Sequence, residues 1–169
     1  MGSLRRLKTK TRWRLTTRNR LEVANALKLA VSLYFSKKMF GVYHEVGVIR
    51  RGRRRADVLA VNMKGHIVIC EVKSCRADFV SDKKLTEYLD YCHKMYLVVL
   101  EEDYDKWLKP IAPDLDKRVG ILVLQSNGYC KVVRPCKFRE QEFPDLYYKL
   151  AWRGSTYNKS NTRMRRVYV

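Results

Sequence analysis

Two carboxylates and a lysine, placed at the ends of two short apolar runs, are the residues whose types and spacing could support a reaction. Asp57 begins the run 57–61, and Glu71 and Lys73 end the run 67–73. Both runs are rich in Val, Ile and Leu, and a glycine-containing turn separates them, which is the pattern of a β-hairpin. The hairpin therefore carries its charged side chains at the end away from the turn.

The loop of this hairpin determines which residues face each other. A three-residue loop with glycine in the left-handed conformation is a common hairpin closure, and residues 63–65, Met-Lys-Gly, are expected to form it. Counting outward from that loop places Asp57 opposite Glu71. Directly opposed residues share one face of an antiparallel pair, with Cβ atoms about 4.5–5.5 Å apart. Lys73 lies on the same face, about 7 Å further along the strand.

Charges this close together in an apolar hairpin need a partner. An unpaired buried charge is costly, and two adjacent carboxylates repel each other unless they share a proton or a cation. Mg²⁺ binds one or two carboxylates and keeps waters for chemistry, and Lys73 could position the attacking water and stabilise a phosphorane-like transition state. The alternative is a surface hairpin in which Lys73 forms an ordinary salt bridge with Asp57 or Glu71.

The overall charge indicates a polyanionic partner. The chain has 36 Lys and Arg against 17 Asp and Glu, a formal net charge of +19 over 169 residues. Nucleic acid is the first partner that this balance indicates, and an anionic membrane surface is the second. A non-catalytic nucleic-acid-binding protein, or an inhibitor protein that captures an acidic partner, would carry the same charge. With 46% hydrophobic residues the chain has the composition of a globular domain.

Several classes of protein and site are not supported. No run approaches eighteen apolar residues, so no transmembrane span is expected, and no apolar segment follows the basic N-terminus, so no signal peptide is expected. The five cysteines include no C-x-x-C pair and favour reduced thiols in a cytoplasmic protein. The three histidines are not spaced with cysteines as in a zinc finger.

The remaining elements place the hairpin inside a single α/β domain. We expect a central mixed β-sheet flanked by helices over residues 18–153, with a basic N-terminal arm at 1–17 and a basic C-terminal tail at 154–169. Periodicity predicts a helix over about 18–37, a strand over 42–49, the hairpin, a helix over Arg76–Cys92, a buried strand over 94–100, a second hairpin over 119–134 and a closing helix over 140–152.

The motif around the hairpin resembles that of a known group of enzymes. Asp57, thirteen residues and then E-V-K at 71–73 are similar to the D-(x)n-E-x-K core of the PD-(D/E)XK nuclease superfamily. The run 71–92, EVKSCRADFVSDKKLTEYLDYC, resembles the MmcB-like DNA-repair branch, whose pattern is close to E-(I/V)-K-S-S-x-x-D-F-x-x-D-x-K-W-x-E-Y-x-x-x-C-D. The G-R-R-R-A-D run that ends at Asp57 matches its G-R-R-A-D. Leu85 and His93 depart from the pattern, which has Trp and Asp there.

This resemblance implies a restriction-endonuclease-like core and a nuclease that hydrolyses DNA phosphodiester bonds in repair or recombination. It implies that Asp57 and Glu71, with the main-chain carbonyl of Val72, hold Mg²⁺ or Mn²⁺, and that Lys73 activates or positions the attacking water. The expected location is the cytoplasm of a bacterial or phage-infected cell. DNA is the expected partner, no membrane is expected, and a homodimer is left open.

Two further acids are candidates for the site. Glu22, in the first helix, could lend a carboxylate, as the first helix does in many such nucleases, or it could complement the helix dipole. Glu45, in the first strand, could be a third ligand of the metal or could bind a water, or it could pair with an arginine. The sequence leaves both pairs of alternatives open.

Basic and aromatic side chains near the hairpin are candidates for contacts with nucleic acid. The arginine turn before the hairpin is either a solvated loop tip or a phosphate clamp. A lysine and two tyrosines on one stripe of the predicted helix suit a phosphate and base faces, or else the tyrosines pack in the core. Nothing recognisable reads bases, so recognition of backbone or DNA shape is expected. The candidates are Arg51, Arg53, Arg54, Arg55, Ser74, Lys84, Tyr88 and Tyr91.

Overall fold

A six-stranded mixed β-sheet forms the centre of the computed structural model, which describes residues 19–49 and 54–154. The arm predicted for residues 1–17, and all but the first residue of the tail predicted for 154–169, lie outside these described residues. The strands are β1 (Gly41–Gly47), β2 (Arg55–Val61), β3 (Ile67–Val72), β4 (Lys94–Leu100), β5 (Val119–Leu124) and β6 (Cys130–Arg134). The longer helices are α1 (Arg20–Ser36), α2 (Arg76–Ser81), a 3₁₀ helix (Leu85–Tyr91) and α4 (residues 144–154). Between β4 and β5 lie α3 (Glu101–Asp103), which a π-helical turn (Tyr104–Leu108) continues, and a short 3₁₀ turn (Ala112–Asp114).

The strands lie in the sheet in the same order as along the chain. β1, β2 and β3 are antiparallel neighbours, β3, β4 and β5 are parallel neighbours, and β6 returns antiparallel to β5. Parallel neighbours need a crossover, which α2 and the 3₁₀ helix provide between β3 and β4, and α3 and the turns after it provide between β4 and β5. A single domain with a mixed sheet flanked by helices is the fold class expected from the sequence, and that prediction is confirmed.

Each face of the sheet has its own apolar core. On one face, α1 packs through Val23, Leu27 and Val31 against alternate residues of the central strands. On the other face, the 3₁₀ helix, the π-helical turn and α4 cover the remaining alternate residues. Since both faces are covered, the central strands are apolar on both sides, and β3 is buried along its whole length. α1 begins at the predicted cap, where the Asn19 side chain accepts from the Leu21 N–H at 3.0 Å.

The helix predicted over Arg76–Cys92 is two shorter elements. α2 ends at Ser81, and the 3₁₀ helix begins at Leu85. Between them the Asp82 side chain accepts from the Lys84 N–H at 3.0 Å, a local hydrogen bond that competes with helix continuation. The apolar period of this stretch therefore does not reveal the break.

The closing helix, α4, begins at residue 144 and not at 140, because Pro144 suits the first helical position, where the N–H is unused. Among the described residues, no helix is long and apolar enough to cross a membrane. The side chains of α4 reach back to the hairpin loop and to β1: the Tyr147 hydroxyl donates to the Gly65 carbonyl at 2.7 Å, Lys149 to the Gly47 carbonyl, and Arg153 to the Glu45 carbonyl at 3.1 Å.

Candidate active site

The hairpin β2–β3 has the register that its loop predicts. Gly65 closes the loop with a φ of 77°, in the left-handed region that glycine adopts without strain. The last ladder pair before the site is Val58 with Cys70. The next pair outward is therefore Asp57 with Glu71, and the predicted register is confirmed.

Asp57 and Glu71 hold the end of the hairpin together with their side chains. The Asp57 N–H donates to Glu71 Oε1 at 3.1 Å, and the Val72 N–H donates to Asp57 Oδ2 at 3.0 Å. Each carboxylate thus accepts a main-chain hydrogen bond from the partner strand, at the point where the main-chain ladder stops. Within the described residues, the second oxygen of each carboxylate takes no main-chain hydrogen bond. The pair is fixed in place, and one oxygen of each acid is left for another partner.

Burial raises the pKa of both acids, and a neighbouring carboxylate adds to the effect in each case. Glu71 is only 5% exposed, and burial, followed by the charge of Asp57, raises the pKa of Glu71 to about 8. Burial also raises the pKa of Asp57, although the hydrogen bond from Val72 and the charge of Lys28 act in the opposite direction. Raised pKa values in two adjacent carboxylates mean that the positive charge nearby does not fully offset their negative charges. A proton or a bound cation would supply the difference.

Lys73 lies beside the pair, and its ammonium binds acids of the segment that follows. It is 6% exposed, and its Nζ lies 2.6 Å from Asp82 Oδ2 and 3.9 Å from Asp78 Oδ1. Burial alone would lower the pKa of Lys73, but the hydrogen bond and charge of Asp82 raise it above its usual value. Among the described residues, Lys73 forms no salt bridge with Asp57 or Glu71, so the ordinary surface salt bridge is not what the structure contains.

Lys28 of α1 joins the site, and the sequence alone did not identify it. Its Nζ forms an ion pair with Glu45 and lies 3.5 Å from Asp57 Oδ1. Glu45 lies opposite Asp57 across β1 and β2, and it also pairs with Arg55 at 2.6 Å, so it is a partner of basic residues. Glu22 is exposed on the first turn of α1, and no contact joins it to the pair among the described residues. The signal for Lys28 is its position beside the apolar stripe that α1 turns toward the sheet.

The structure describes two of the four arginines of the predicted clamp, Arg54 and Arg55. Arg51 and Arg53 lie outside the described residues. Arg54 pairs with Glu87, with Nε 2.6 Å from Oε2. Arg55 keeps 68% of its side chain exposed while it pairs with Glu45. Arg54 is therefore held by Glu87, whereas Arg55, two residues before Asp57, presents most of its side chain to solvent.

The other predicted nucleic-acid residues are placed differently from one another. Tyr88 is buried, and its hydroxyl donates to the Arg55 carbonyl at 3.1 Å, so it packs in the core and does not offer its ring to a base. Lys84 is exposed, and Tyr91 is half-buried. They do not form the predicted stripe, because Lys84 precedes the helix and a 3₁₀ helix has three residues per turn. Ser74 is buried, and its N–H donates to the Asp78 carboxylate at 3.2 Å.

The donor set fits a hard divalent cation. Within residues 19–49 and 54–154, no three or more His, Cys, Asp or Glu side chains come together as a metal cluster. The set is thus two carboxylates, Asp57 and Glu71, with the main chain of Val72 beside them. Mg²⁺ takes one or two carboxylates and fills its other positions with water, and Mn²⁺ accepts similar oxygen ligands, whereas zinc prefers Cys and His. The residues present suit Mg²⁺ or Mn²⁺.

Comparison with known proteins identifies a family for the chain and a solved structure with a similar fold. The family model of the DNA repair protein MmcB-like matches residues 11–132. The SPO1766 protein of unknown function from Silicibacter pomeroyi superposes with a TM-score of 0.68 at 24% identity, over 83% of this chain and 91% of that chain. A repair endonuclease from Pyrococcus abyssi has a TM-score of 0.35 at 21% identity, over 62% of this chain and 47% of that chain, too distant to support an argument about function. No curated protein matches the chain.

The family match spans the parts of the molecule that build the site. It includes α1 with Lys28, the whole hairpin with Asp57 and Glu71, and the segment that carries Lys73 and Asp82. It covers well over half of the chain, and the first of the two solved structures shows the same fold. The chain therefore belongs to the family of MmcB-like DNA repair proteins.

Proposed function

We propose that this chain is a metal-dependent nuclease of the PD-(D/E)XK type, which hydrolyses phosphodiester bonds of DNA in repair or recombination. The observation that carries the proposal is the buried pair of Asp57 and Glu71, locked across the hairpin, with the ammonium of Lys73 two residues further on. A protein that only binds DNA gains nothing from two adjacent buried carboxylates, which repel each other and repel phosphate. Membership of a DNA repair family supports a nucleic-acid substrate.

The residues of the site would act through charge and position. Asp57, Glu71 and the Val72 carbonyl would hold Mg²⁺ or Mn²⁺, which, when bound, polarises the phosphate and lowers the pKa of a water. Lys73 is kept protonated by Asp82 and has further N–H donors available. It presents a fixed positive charge where negative charge develops on the phosphate, and a preorganised charge needs no rearrangement at that moment.

Contacts with the DNA would come from the basic surface around this site. The net charge of +19 supports binding through phosphates. Arg55 is exposed two residues before Asp57, and Lys84 is exposed beside Asp82, the partner of Lys73, so both could contact the DNA backbone. Nothing in the sequence reads base edges, so we propose that the enzyme recognises DNA structure more than DNA sequence.

Cleavage of a panel of labelled DNA substrates tests this function. Single-stranded, nicked, flapped, branched and duplex molecules are incubated with the protein in Mg²⁺ or Mn²⁺. We expect cleavage of at least one substrate, and a loss of about 10²–10³-fold or more in Asp57→Asn, Glu71→Gln and Lys73→Met, with DNA binding retained. Lys73→Met should not weaken metal binding, because an ammonium is not a ligand. Glu140→Gln, an exposed site outside the hairpin, is the matched control.

Two results would replace this proposal by another. Tight, salt-sensitive DNA binding with no metal-dependent cleavage of any substrate would identify a non-catalytic DNA-binding protein on this scaffold. Absence of salt-sensitive DNA affinity would favour a protein that captures an acidic partner.

A further inference from the structure

Lys28 connects α1 to the carboxylate pair, and the proposed mechanism gives it no role. It follows the buried Leu27 in α1, and only 19% of its side chain is exposed. Its Nζ binds the Glu45 carboxylate, and the same atom lies 3.5 Å from Asp57 Oδ1. Lys28 thus bridges two acids that face each other across β1 and β2.

The neighbouring cations are bound to other acids. Lys73 is bound to Asp82, and Arg55 is bound to the second oxygen of Glu45. Among the residues that the structure describes, Lys28 forms the one ion pair that reaches either member of the carboxylate pair. Lys28 therefore supplies part of the positive charge that offsets Asp57, and it does so from a helix on the opposite side of the hairpin from the Lys73 segment.

The second oxygen of Asp57, Oδ1, is the point at which two cations would meet. Asp57 Oδ2 already accepts the Val72 N–H, and Oδ1 is the oxygen that Lys28 approaches. An ammonium group and a divalent ion close to the same oxygen repel each other. Lys28 has a second partner in Glu45, so it can give up Asp57 without becoming an unpaired buried charge.

We propose that Lys28 is a positioning residue that takes the place of a divalent ion at Asp57 in the metal-free protein and competes with that ion. This inference rests on the proposed function, because it takes Asp57 to be a metal ligand. The ammonium keeps the carboxylate in its productive place before the ion arrives, and it raises the concentration of metal at which the site fills. The site is therefore regulated by the free concentration of Mg²⁺ or Mn²⁺.

Titration of the full-length, DNA-free protein with Mn²⁺ by calorimetry tests the competition directly. Lys28→Met keeps the length of the side chain and removes its charge, so the Kd for Mn²⁺ should fall about tenfold or more. Lys28→Arg keeps the charge and should retain a Kd close to that of the wild type. Lys38→Met is the matched control, because this exposed lysine at the end of α1 lies over the Tyr34 ring, away from the site. Its Kd should stay within about twofold of the wild type.

The direction of the change separates a competing cation from a structural one. If Lys28 only supports the fold, Lys28→Met binds Mn²⁺ with equal or lower affinity, and the inference is overturned while wild-type cleavage leaves the proposed function intact. If the wild type itself binds no Mn²⁺, the proposed function fails and this inference fails with it. Should Lys28→Met not fold, Lys28→Gln retains a donor for Glu45 and gives the same comparison.

Discussion

Glu71→Gln isolates the proton that the metal-free site is expected to hold. Burial and the charge of Asp57 raise the pKa of Glu71 to about 8 in the folded protein, whereas a glutamate of an unfolded chain titrates near pH ~4.3. Between these two values the folded protein binds one proton more than the unfolded chain, so the free energy of unfolding falls as pH rises. The slope is about 1.4 kcal/mol per pH unit, on the order of 4–5 kcal/mol over the window.

Glutamine keeps the oxygen that accepts the Asp57 N–H and removes the ionisation. In EDTA we therefore expect the wild type to lose stability from about pH 5 to about pH 8, and Glu71→Gln to lose much less. At pH ~8 the variant should melt roughly 10 °C higher, since 1 kcal/mol shifts the midpoint by about 2–4 °C in a domain of this size. Thermal unfolding followed by circular dichroism gives both curves, and Glu140→Gln removes an exposed charge as the control.

Parallel curves for the wild type and Glu71→Gln would refute this reasoning. They would show that Glu71 is ionised in the folded, metal-free protein, and that the pair does not lack positive charge. Addition of Mn²⁺ gives a second comparison. A cation that binds the ionised carboxylates stabilises the folded state, so the wild type should recover its midpoint at pH ~8, and Glu71→Gln should gain little.

Other properties of the molecule can be tested in the same way. The affinity of the wild type for Mn²⁺ should rise up to about tenfold per unit between pH ~6 and ~8, because a proton leaves as the ion binds; calorimetry would contradict this with a flat profile. The logarithm of the affinity for duplex DNA should fall with the logarithm of the salt concentration at a slope near −5, as expected for about six contacted phosphates at about −0.9 each. Deletion of residues 1–17 should flatten this slope. Tight binding that does not depend on salt, measured by fluorescence anisotropy, would indicate a protein partner. Gly120→Ala should destabilise the fold by about 1–3 kcal/mol or more, because its Cβ would lie 2.5 Å from the Tyr96 ring and 2.9 Å from the Arg134 carbonyl oxygen; an unchanged urea midpoint would contradict it.

The hairpin and its charged end could be predicted from the sequence, because they depend on local rules. A glycine at position 65 fixes the loop, the loop fixes the register, and the register brings Asp57 opposite Glu71. The succession of strands along the chain follows similarly from turns and apolar runs. Each of these steps connects residues that are near one another in the chain or paired by counting.

The rest of the site depends on contacts that no local pattern encodes. Lys28 meets Asp57 only because α1 crosses the sheet at that place. Periodicity ran through Asp82 as if it were an ordinary helical position, but Lys73 and Lys84 both bind its side chain, and the helix stops there. In the sequence, the position of Tyr88 fits a base-stacking residue and a core residue equally well. The structure shows that Tyr88 is buried in the core.

The contacts between α4 and β1 have a consequence for how the molecule behaves in a crowded solution. β1 is the outermost strand beside β2, and the carbonyls of Glu45 and Gly47 belong to the positions that do not bond to β2. An uncovered strand at the margin of a sheet is a template for pairing with another chain. Arg153 and Lys149 occupy these carbonyls. α4 therefore caps the margin against aggregation, and a chain cut before residue 144 should lose solubility.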